Sequence, residues 1–568
     1  MKKRTKKVNQ LTLVTVALTF ALYGCNDVTQ TPPSSSISPG TVKTEQQQST
    51  VIEAAKDQQW WAAVTRDGDK MPLQAKYSVK MLGDTFGNQV QPLLLSANGY
   101  VIWSEKPFSY KYDGKGSLTI FDNLDEIIQH KAGDSLKDAA DYASKTFFPP
   151  SGKMVDELLF TAPQFNTWIE LTYNQNQEDI LKYAERIISE GFKPGVLMID
   201  DTWQTNYGDW TFNPARFSDP KAMMDKLHAM GFKVMLWVAP FVSGDIPAYR
   251  ELKKKGGLLR QSKALVKIDK NDILLQRKNK KSPPQMVEWW NGQSAVLDLT
   301  NPVDKKWFKD QLDHLQQTYG VDGFKFDAGD ARSYTKGVGH KDILSNEHSE
   351  AFAEVGLDYP LNEYRATWKM GGQPIAQRLR DKFHTWEDMQ KLIPQMNMMG
   401  MVGYPFSCPD MIGGGNWISF QPGKEVDAEL IVRSAQTHAL MPMMQFSVAP
   451  WRILDQEHQD AIKVATKLRL KFNDYILALA KTAAKTGAPI MRPLEYNYPH
   501  QGYIDIKDQF LMGDNLLVAP VITKTKIRKV TLPPGKWLDH NGKTVEGGQT
   551  INVPVQLDTL PHYWRVSA

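Results

Sequence analysis

Short runs of alternating apolar and polar residues fill the first part of the chain, from about residue 60 to residue 148. The runs at 90–95 and 100–103 are typical, and Gly, Asn and Asp separate them from their neighbours. Strict alternation indicates strands with one buried face, and closely spaced turn residues indicate hairpins between them. This part is therefore predicted to be an antiparallel β-sandwich, followed by a linking helix near 134–144.

A second rhythm begins near residue 158, where continuous apolar runs alternate with longer amphipathic stretches. The apolar run at 196–199 is followed by a helical pattern at 220–230, and then by another apolar run at 234–238. Apolar strands that alternate with helices are typical of parallel βα units. Repeated over roughly 320 residues, such units predict a (β/α)8 barrel.

Two stretches interrupt this alternation, and the chain becomes strand-like again from about residue 490. The stretch near 249–293 carries two runs of Lys and Arg, which most simply form a solvated face. The stretch near 331–376 is long enough to be a functional loop. The predicted fold class is α/β, a (β/α)8 TIM barrel flanked by an N-terminal β-sandwich and a small C-terminal β domain. The expected parts are a signal peptide at 1–25, a flexible tether at 26–55, the sandwich at 56–157, the barrel at 158–488 with insertions near 249–293 and 331–376, and the C-terminal domain at 489–568.

The first 25 residues resemble a bacterial export signal that ends in a lipid-attachment cysteine. Positive residues at 2–7 precede an apolar run at 11–22, which is too short to span a membrane. The run ends in Leu22-Tyr23-Gly24-Cys25, which is similar to a lipobox with Cys25 as the lipid acceptor. An ordinary secretory signal cut nearby is the alternative. The expected location is the periplasmic face of the inner or outer membrane, or the cell surface.

Composition narrows the class of ligand. The chain has 568 residues and contains 16 Trp, which favours carbohydrate because Trp faces stack on sugar rings, although Trp also fills cores. Its net charge of +5 is mild and forms no dense basic stripe, so nucleic acid is not an expected partner. No stretch has metal-ligand spacing or a Gly-rich phosphate loop, and no cofactor is expected. The sequence does not indicate an oligomeric state.

The strongest catalytic candidate lies in the stretch 320–330. Phe324-Lys325-Phe326 is predicted to be a short buried strand, and Asp327 and Asp330 follow it. A carboxylate at the carboxyl end of a barrel strand is the usual place for a catalytic group. An Asp in such a turn can also cap the helix that follows, and this stretch alone does not choose between the two interpretations.

Four further residues have side chains that suit a sugar pocket. Asp200 and Asp201 follow the apolar run at 196–199, and each can accept hydrogen bonds from sugar hydroxyls. Trp237 ends a predicted strand, and Trp290 belongs to a Trp pair close before another. Both indoles can form apolar walls of a pocket, with core packing as the alternative.

Taken in order, these motifs resemble glycoside hydrolase family 31, retaining α-glycosidases built on a (β/α)8 barrel between β domains. The resemblance covers roughly residues 160–540. It rests on Asp200 ahead of Asp209-Trp210-Thr211-Phe212, on Trp290-Asn291-Gly292 ahead of Asp298-Leu299-Thr300-Asn301-Pro302, and on Asp322-Gly323-Phe324-Lys325-Phe326-Asp327.

The resemblance implies a catalytic pair. The family's nucleophile corresponds to Asp327. The family's acid/base has a Trp five residues after it and an Arg sixteen residues before it, and here Trp386 and Arg365 stand at those distances from Asp381. Asp381 is therefore the expected acid/base.

The letters around the expected acid/base differ from the family pattern. Arg378-Leu379-Arg380-Asp381 replaces the family's W-x-G-D. Asp410, in a stretch that resembles a wall loop of the family's site, remains the competing proton donor. If Asp381 is the proton donor, Asp410 is expected to contact substrate instead. The other residues expected to contact substrate are Asp200, Asp201, Trp237, Trp290, Lys325 and Arg365.

Other departures point to one branch of the family. Lys325 stands two residues before the expected nucleophile, and Ser447 replaces a sugar-binding His. These features resemble the branch around the animal myogenesis-regulating glycosidase, which acts as an α-galactosidase. The expected function is an exo-acting retaining α-galactosidase that cleaves an oligosaccharide or glycoside through a covalent glycosyl-aspartate. The alternatives are an α-xylosidase, a sulfoquinovosidase, and a catalytically silent glycan-binding lipoprotein.

Overall fold

The structure, a computed structural model, describes residues 49–53, 58–262 and 282–566. The predicted signal peptide and Cys25 lie outside the described residues, as do nearly all of the predicted tether and the second basic run of the first insertion. Within these three ranges, no helix combines the length and the apolar character that crossing a membrane requires.

Eight short parallel strands form the central sheet. In chain order, here β1 to β8, they are Gln164–Asn166, Val196–Ile199, Lys233–Val238, Gly323–Phe326, Asn362–Tyr364, Gln377–Arg378, Ser407–Cys408 and Gln445–Phe446. They lie side by side in the order β7-β6-β5-β4-β3-β2-β1-β8, and a single bridge between Met411 and Gln445 joins the two edges. The sheet is thus a nearly closed barrel, and the predicted fold class is confirmed.

Helices follow most of the strands on the outside of the barrel. They are Gln177–Ser189, Pro220–Ala229, Pro302–Tyr319, Ser345–Ala353, Trp386–Met401, Ala428–Ala439, Gln456–Lys471 and Asn473–Thr486. Asn176, Asp219, Asn301, Thr385 and Asp427 each cap a helix by accepting a backbone N–H bond. Such caps define where a helix begins, and so they set the length of each loop at the barrel mouth. The amphipathic pattern at 459–485 predicts one continuous helix, whereas the structure has two helices that meet at Phe472.

The stretch 331–376 is not an insertion, contrary to the sequence expectation. It contains the outer helix Ser345–Ala353 and the barrel strand β5. Strand β5 has only three residues, Asn-Glu-Tyr, so no apolar run marks it. The residues Val402 to Phe406 are strand-like in sequence, but they form the turn after the helix Trp386–Met401, and β7 begins only at Ser407.

The stretch 249–293 does extend the connection between β3 and β4. It begins with the helix Pro247–Lys255 and ends in a small antiparallel sheet of Phe241–Ser243, Gly292–Val296 and Met286–Trp289. The predicted strand that closely follows the Trp pair, at 295–297, therefore belongs largely to a hairpin outside the barrel. This hairpin carries Trp290 at its turn.

The N-terminal domain consists of two antiparallel sheets and a helix, Leu136–Phe147. One sheet contains Thr50–Ile52, Leu118–Phe121, Ser109–Tyr112 and Tyr77–Lys80, and the other contains Trp60–Val64, Gln89–Ser96, Tyr100–Trp103 and Ile128–Lys131. A strand from the β5–β6 connection, Thr367–Trp368, pairs in parallel with Gln89 and Val90. The second sheet is thereby continuous with a barrel loop.

The C-terminal domain forms its own core around the fully buried Trp537. Its strands are Met491–Arg492, Phe510–Met512, Leu516–Val518, Ile527–Leu532, Lys536–Asp539, Thr544–Glu546, Gln549–Pro554 and His562–Val566. These strands form a six-stranded and a two-stranded sheet.

Candidate active site

A cavity of about 510 Å³ opens at the carboxyl ends of the barrel strands. This is the end of the barrel at which substrates bind in proteins of this architecture. Its lining contains Arg66, Asp84, Phe86, Gly87, Trp168, Tyr173, Asp200, Asp201, Trp237, Trp290, Lys325, Asp327, Arg332, Arg365, Arg378, Arg380, Asp381, Phe383, Met411, Asn416, Trp417 and Ile418. Of the catalytic and substrate-binding candidates named from the sequence, all but Asp330 and Asp410 line this cavity.

Asp327 follows strand β4 and is held by three donors. Its Oδ1 accepts hydrogen bonds from Arg365 Nε at 2.7 Å and from the Ala328 backbone N–H at 2.7 Å. Its Oδ2 accepts one bond, from Trp237 Nε1 at 3.0 Å. The carboxylate is therefore fixed in orientation, and Oδ2 is the oxygen that retains more lone-pair capacity for another group.

Positive charge keeps this carboxyl group ionised. Burial by itself raises the pKa of Asp327, but Arg365, Lys325 and Arg378 outweigh burial and hold the pKa well below its usual range. An ionised, oriented carboxylate at a strand end is suited to nucleophilic attack.

Arg365 connects two carboxylates and the N-terminal domain. Its Nη2 donates to Asp330 Oδ2 at 2.8 Å, and its Nη1 donates to the Gly87 carbonyl at 3.1 Å. Its guanidinium carbon lies 5.6 Å from the centre of the Trp290 ring, and this indole is 47% exposed at the cavity mouth. Asp330 therefore positions Arg365, and Trp290 offers an accessible aromatic face to a ligand.

Lys325 and Asp200 form a buried ion pair. Lys325 Nζ lies 2.6 Å from Asp200 Oδ2, and each side chain is only 4% exposed. Burial lowers the pKa of Lys325, but the charge of Asp200 outweighs that effect and the pKa rises overall. Lys325 therefore stays protonated, and Asp200, which lines the cavity, keeps acceptor capacity toward it.

Asp201 is oriented by two side chains that sequence reasoning missed. Tyr207 Oη donates to its Oδ1 at 2.9 Å, and Asn291 Nδ2 donates to its Oδ2 at 2.5 Å. Burial and the charge of Asp200 raise the pKa of Asp201 to about 7, against the lowering effect of these two hydrogen bonds. Asn291 stands next to Trp290 on the hairpin, so the hairpin and strand β2 build this part of the site together.

Asp381 lines the cavity just beyond strand β6. Its Oδ1 accepts a hydrogen bond from Arg378 Nη1 at 2.7 Å, and its side chain is 40% exposed. Among the described residues no donor reaches Oδ2, so this oxygen is available to a substrate.

Asp410 is placed behind Asp381 and away from the cavity. It is fully buried and accepts hydrogen bonds from Arg378 Nη1 at 2.8 Å and from the backbone N–H groups of Lys382 at 2.7 Å and Gly415 at 3.0 Å. Burial and the charge of Asp381 raise the pKa of Asp410 to about 6. The geometry makes Asp410 a positioning residue for the loops around Asp381, whereas Asp381 is the one with access to a ligand.

Arg378 is the central residue that the sequence did not indicate as functional. It is 1% exposed, and besides Asp381 and Asp410 it lies 3.2 Å from Glu363 on strand β5. Arg378 stands where the family pattern has Trp. That departure was the feature of the sequence that could have indicated a role for Arg378 in the site. Ser447, the other departure, accepts a bond from the Ile169 backbone N–H at 2.8 Å within the core.

Two family profiles match almost the whole described part beyond the N-terminal domain. The profile of the glycosyl hydrolases family 31 TIM-barrel domain matches residues 163–479, and that of the family 31 C-terminal domain matches residues 487–568. The chain belongs to glycosyl hydrolase family 31. The resemblance inferred from the motifs is thereby confirmed.

Several relatives of this family 31 chain are known. It is 32% identical over 436 residues to the myogenesis-regulating glycosidase of Mus musculus, covering 74% of this chain and 58% of the relative. It is 26% identical over 420 residues to alpha-glucosidase 2 of Bacillus thermoamyloliquefaciens, covering 68% and 50%. The chain thus spans about half the length of the curated relatives it matches. A Flavobacterium johnsoniae family 31 dextranase complexed with glucose shares the fold at a TM-score of 0.77 and 20% identity, over 91% of this chain and 66% of that chain.

Several lining residues of this family 31 site had no motif to mark them. Arg66, Asp84, Phe86 and Gly87 come from the N-terminal domain, outside both matched regions. As to metals, the part of the chain that the structure describes contains no group of three or more His, Cys, Asp or Glu side chains that could hold an ion.

Proposed function

We propose that this family 31 chain is an exo-acting α-galactosidase that retains the configuration of the anomeric carbon. The observation that carries the proposal is the pair Asp327 and Asp381 in one cavity, with Asp327 held ionised by three cations. Retaining glycosidases use two such carboxyl groups on either side of the scissile bond.

The first step transfers the sugar to the enzyme. Asp327 Oδ2 attacks the anomeric carbon, while protonated Asp381 gives its proton to the glycosidic oxygen through Oδ2. The bond from the anomeric carbon to that oxygen breaks, the aglycone leaves as an alcohol, and a glycosyl-aspartate ester forms. Trp237 and Arg365 hold the nucleophile at the correct angle throughout.

The second step returns the enzyme to its starting state. Asp381, now ionised, takes a proton from water, and the water oxygen attacks the anomeric carbon. The ester bond to Asp327 breaks and releases the sugar, and Asp381 is again protonated. Two inversions leave the anomeric configuration unchanged.

The inner end of the cavity supports a neutral terminal sugar as the glycone. Asp200, Asp201 and Lys325 form a polar floor on strands β2 and β4, which favours entry of a chain end. Each cation at this depth, Lys325, Arg365 and Arg378, is paired with a carboxylate. A sulfonated sugar would need an unpaired cation, so this arrangement favours a galactoside over a sulfoquinovoside. The galactose assignment itself rests on Lys325 and Ser447, the two departures that resemble the α-galactosidase branch of the family.

A panel of 4-nitrophenyl α-glycosides tests the sugar. We expect the α-galactoside to be cleaved with the highest kcat/KM, and α-galactose to be the first product seen by NMR. Cleavage of the α-xyloside or α-sulfoquinovoside without the α-galactoside would contradict the galactose assignment but keep the mechanism. A chain that binds galactosides without turnover of any glycoside would instead be a glycan-binding protein.

Azide distinguishes the two carboxyl groups. Asp381→Ala should lower kcat by about 10²–10⁴-fold for substrates with poor leaving groups, and azide should then replace water and yield the α-glycosyl azide. In Asp327→Ala azide should replace the nucleophile and yield the β-glycosyl azide. Asp410→Ala serves as the comparison, since a residue without access to substrate should give no azide adduct. An α-glycosyl azide from Asp410→Ala but not from Asp381→Ala would reverse the assignment.

We also propose that the protein is exported and anchored to a membrane through lipid on Cys25. The support is the n-region, the apolar run and the lipobox-like stretch of the sequence. Metabolic labelling with a radioactive fatty acid should mark the wild type and not Cys25→Ser. Labelling of both would disprove lipid attachment at Cys25.

A further inference from the structure

The cations of the cavity fall into an inner and an outer set. The inner set is Lys325, Arg365 and Arg378, and ion pairs with Asp200, Asp327 and Asp381 neutralise it. The outer set is Arg66, Arg332 and Arg380, and the reaction proposed above requires none of the three.

The outer arginines carry uncompensated positive charge. Arg332 and Arg380 are exposed, and within the described ranges neither has a carboxylate oxygen within 4.0 Å. Arg66 has a side chain that is 34% exposed and lies 3.2 Å from Asp67. Asp84 also lines the cavity and accepts a bond from the Phe86 backbone N–H. Asp67 is also shared with Lys70, whose Nζ lies 3.0 Å from it, so Asp67 and Asp84 set against the three arginines and Lys70 leave two positive charges.

These arginines come from one side of the barrel mouth. Arg332 follows strand β4 and Arg380 follows strand β6, on either side of β5 in the sheet. The segment of Arg66, Thr65–Lys70, packs on the helix Trp386–Met401 that follows β6, and the Arg66 carbonyl accepts a bond from Gln395 of that helix at 2.5 Å.

This side of the mouth faces the leaving group. Arg380 immediately precedes Asp381, which protonates the glycosidic oxygen in the proposed reaction, so groups exposed beyond Asp381 lie toward the aglycone. Two aromatic rings line the same region. Phe86 lies 4.7 Å from the Arg66 guanidinium, and Phe383 is 51% exposed. The region thus combines apolar faces, on which a sugar ring packs, with guanidinium donors, which favour carboxylate, sulfate and phosphate oxygens.

We propose that the aglycone side of this cavity binds a sugar that carries an anionic group. The inference rests on the proposed glycosidase function and specifies its substrate class: a neutral terminal sugar joined to an acidic one. Arg332 and Arg380 supply the main attraction, and Arg66 adds to it.

The test compares disaccharide substrates that share the glycone and linkage and differ only at C6 of the aglycone. The four aglycones are glucose, glucuronate, glucose 6-sulfate and glucose 6-phosphate, which separate the possible sources of the anion. We expect kcat/KM for at least one acidic aglycone to exceed that for glucose by about tenfold, from roughly twofold to fivefold for each arginine. Raising the ionic strength should reduce this ratio, because exposed charges are screened.

The double variant Arg332→Gln/Arg380→Gln should bring the acidic-to-neutral ratio to about one. Arg186→Gln, on the exposed outer face of the helix Gln177–Ser189, is the matched control and should keep the wild-type ratio. A wild-type ratio of one or less for all three acidic aglycones, or a ratio that the double variant leaves unchanged, would overturn the proposal.

A direct binding measurement separates this proposal from the proposed function. Calorimetric titration of free glucuronate, glucose 6-sulfate and glucose 6-phosphate requires no turnover. If no disaccharide is cleaved and an acidic sugar still binds more tightly than glucose to the wild type but not to the double variant, the glycosidase assignment fails and the anion site stands. Equal affinity of the wild type for glucose and all three acidic sugars would overturn the anion site.

Discussion

The aspartates in and around the cavity differ in their surroundings, and these surroundings set what each carboxyl group can do. Asp327 is held by Arg365, Trp237 and a backbone N–H, whereas Asp381 has one arginine contact and is 40% exposed. Asp410 has no access to the cavity, and its oxygens are occupied by donors of the surrounding loops. Asp327 is therefore an oriented anion, Asp381 is accessible from the cavity, and Asp410 is buried among the surrounding loops.

Asp201 should make stability depend on pH. Its pKa is about 7 in the folded protein, compared with about 3.9 in an unfolded chain. Between about pH 4 and pH 7 the unfolded chain has released this proton and the folded protein retains it, so the free energy of unfolding falls as the pH rises. Asp201→Asn should remove this fall, on the order of a few kcal/mol across the window.

Denaturant unfolding at four pH values across that window measures the effect. Asp225→Asn is the control, because Asp225 is an exposed helix residue whose side chain is 60% accessible. The control should keep the wild-type slope. A wild-type slope that survives in Asp201→Asn would show that another group is responsible.

At the scale of elements, Arg378 joins the ends of three barrel strands. It lies at the end of β6, contacts Glu363 of β5, and donates both to Asp381 and to Asp410, which follows β7. Glu363 in turn accepts a bond from Gln445 of β8 at 2.8 Å. A chain of polar contacts therefore runs across the part of the barrel where the sheet is held by a single bridge.

Loss of this guanidinium should destabilise the barrel. Arg378→Met leaves buried carboxylates without their cation, and removal of one partner from a buried ion pair costs about 3–5 kcal/mol. Thermal and denaturant unfolding should both show the loss. Arg380→Met, two residues away and exposed, should change stability by less than about 0.5 kcal/mol. Similar losses of stability in Arg378→Met and Arg380→Met would mean that the contacts of Arg378 with neighbouring strands contribute little to the stability of the barrel.

At the scale of the whole molecule, the active site is shared between domains. Gln89 of the N-terminal domain is fully buried, and its Nε2 donates to the backbone carbonyls of Arg365 at 2.7 Å and Arg378 at 3.2 Å. One amide therefore supports both arginines that contact Asp327 and Asp381, the proposed catalytic carboxylates. Gly87, two residues earlier, provides the carbonyl that Arg365 also contacts.

Gln89→Met should reduce kcat/KM by about tenfold, because a shift of the Arg365 and Arg378 backbones misplaces Asp327 and Asp381. Gln91→Met is the matched control. Gln91 is equally buried on the same strand, and its amide donates at 3.1 Å to Val402, which does not line the cavity. The control should lose comparable stability and keep its kcat/KM. Equal effects on kcat/KM in the two variants would show that the N-terminal domain acts on stability alone.

Much of the barrel was predictable because its long apolar strands and amphipathic helices have clear periods. The apolar run at 196–199 is strand β2, and the helical pattern at 220–230 is the helix Pro220–Ala229. Strands β5 to β7 were missed or misplaced because they contain two or three residues, and their position is decided by neighbouring strands rather than by local pattern.

The fold class, the family and the site candidates Asp200, Asp327 and Asp381 could be predicted because apolar periodicity and motif spacing are local properties of the chain. The folded barrel was needed to place Asp381 at the cavity and Asp410 behind it. The tertiary structure alone revealed Arg378 and Gln89, and the arginines of the outer mouth. These roles depend on burial and on contacts between residues as much as 289 positions apart, and no local pattern records which charges the folded barrel brings together.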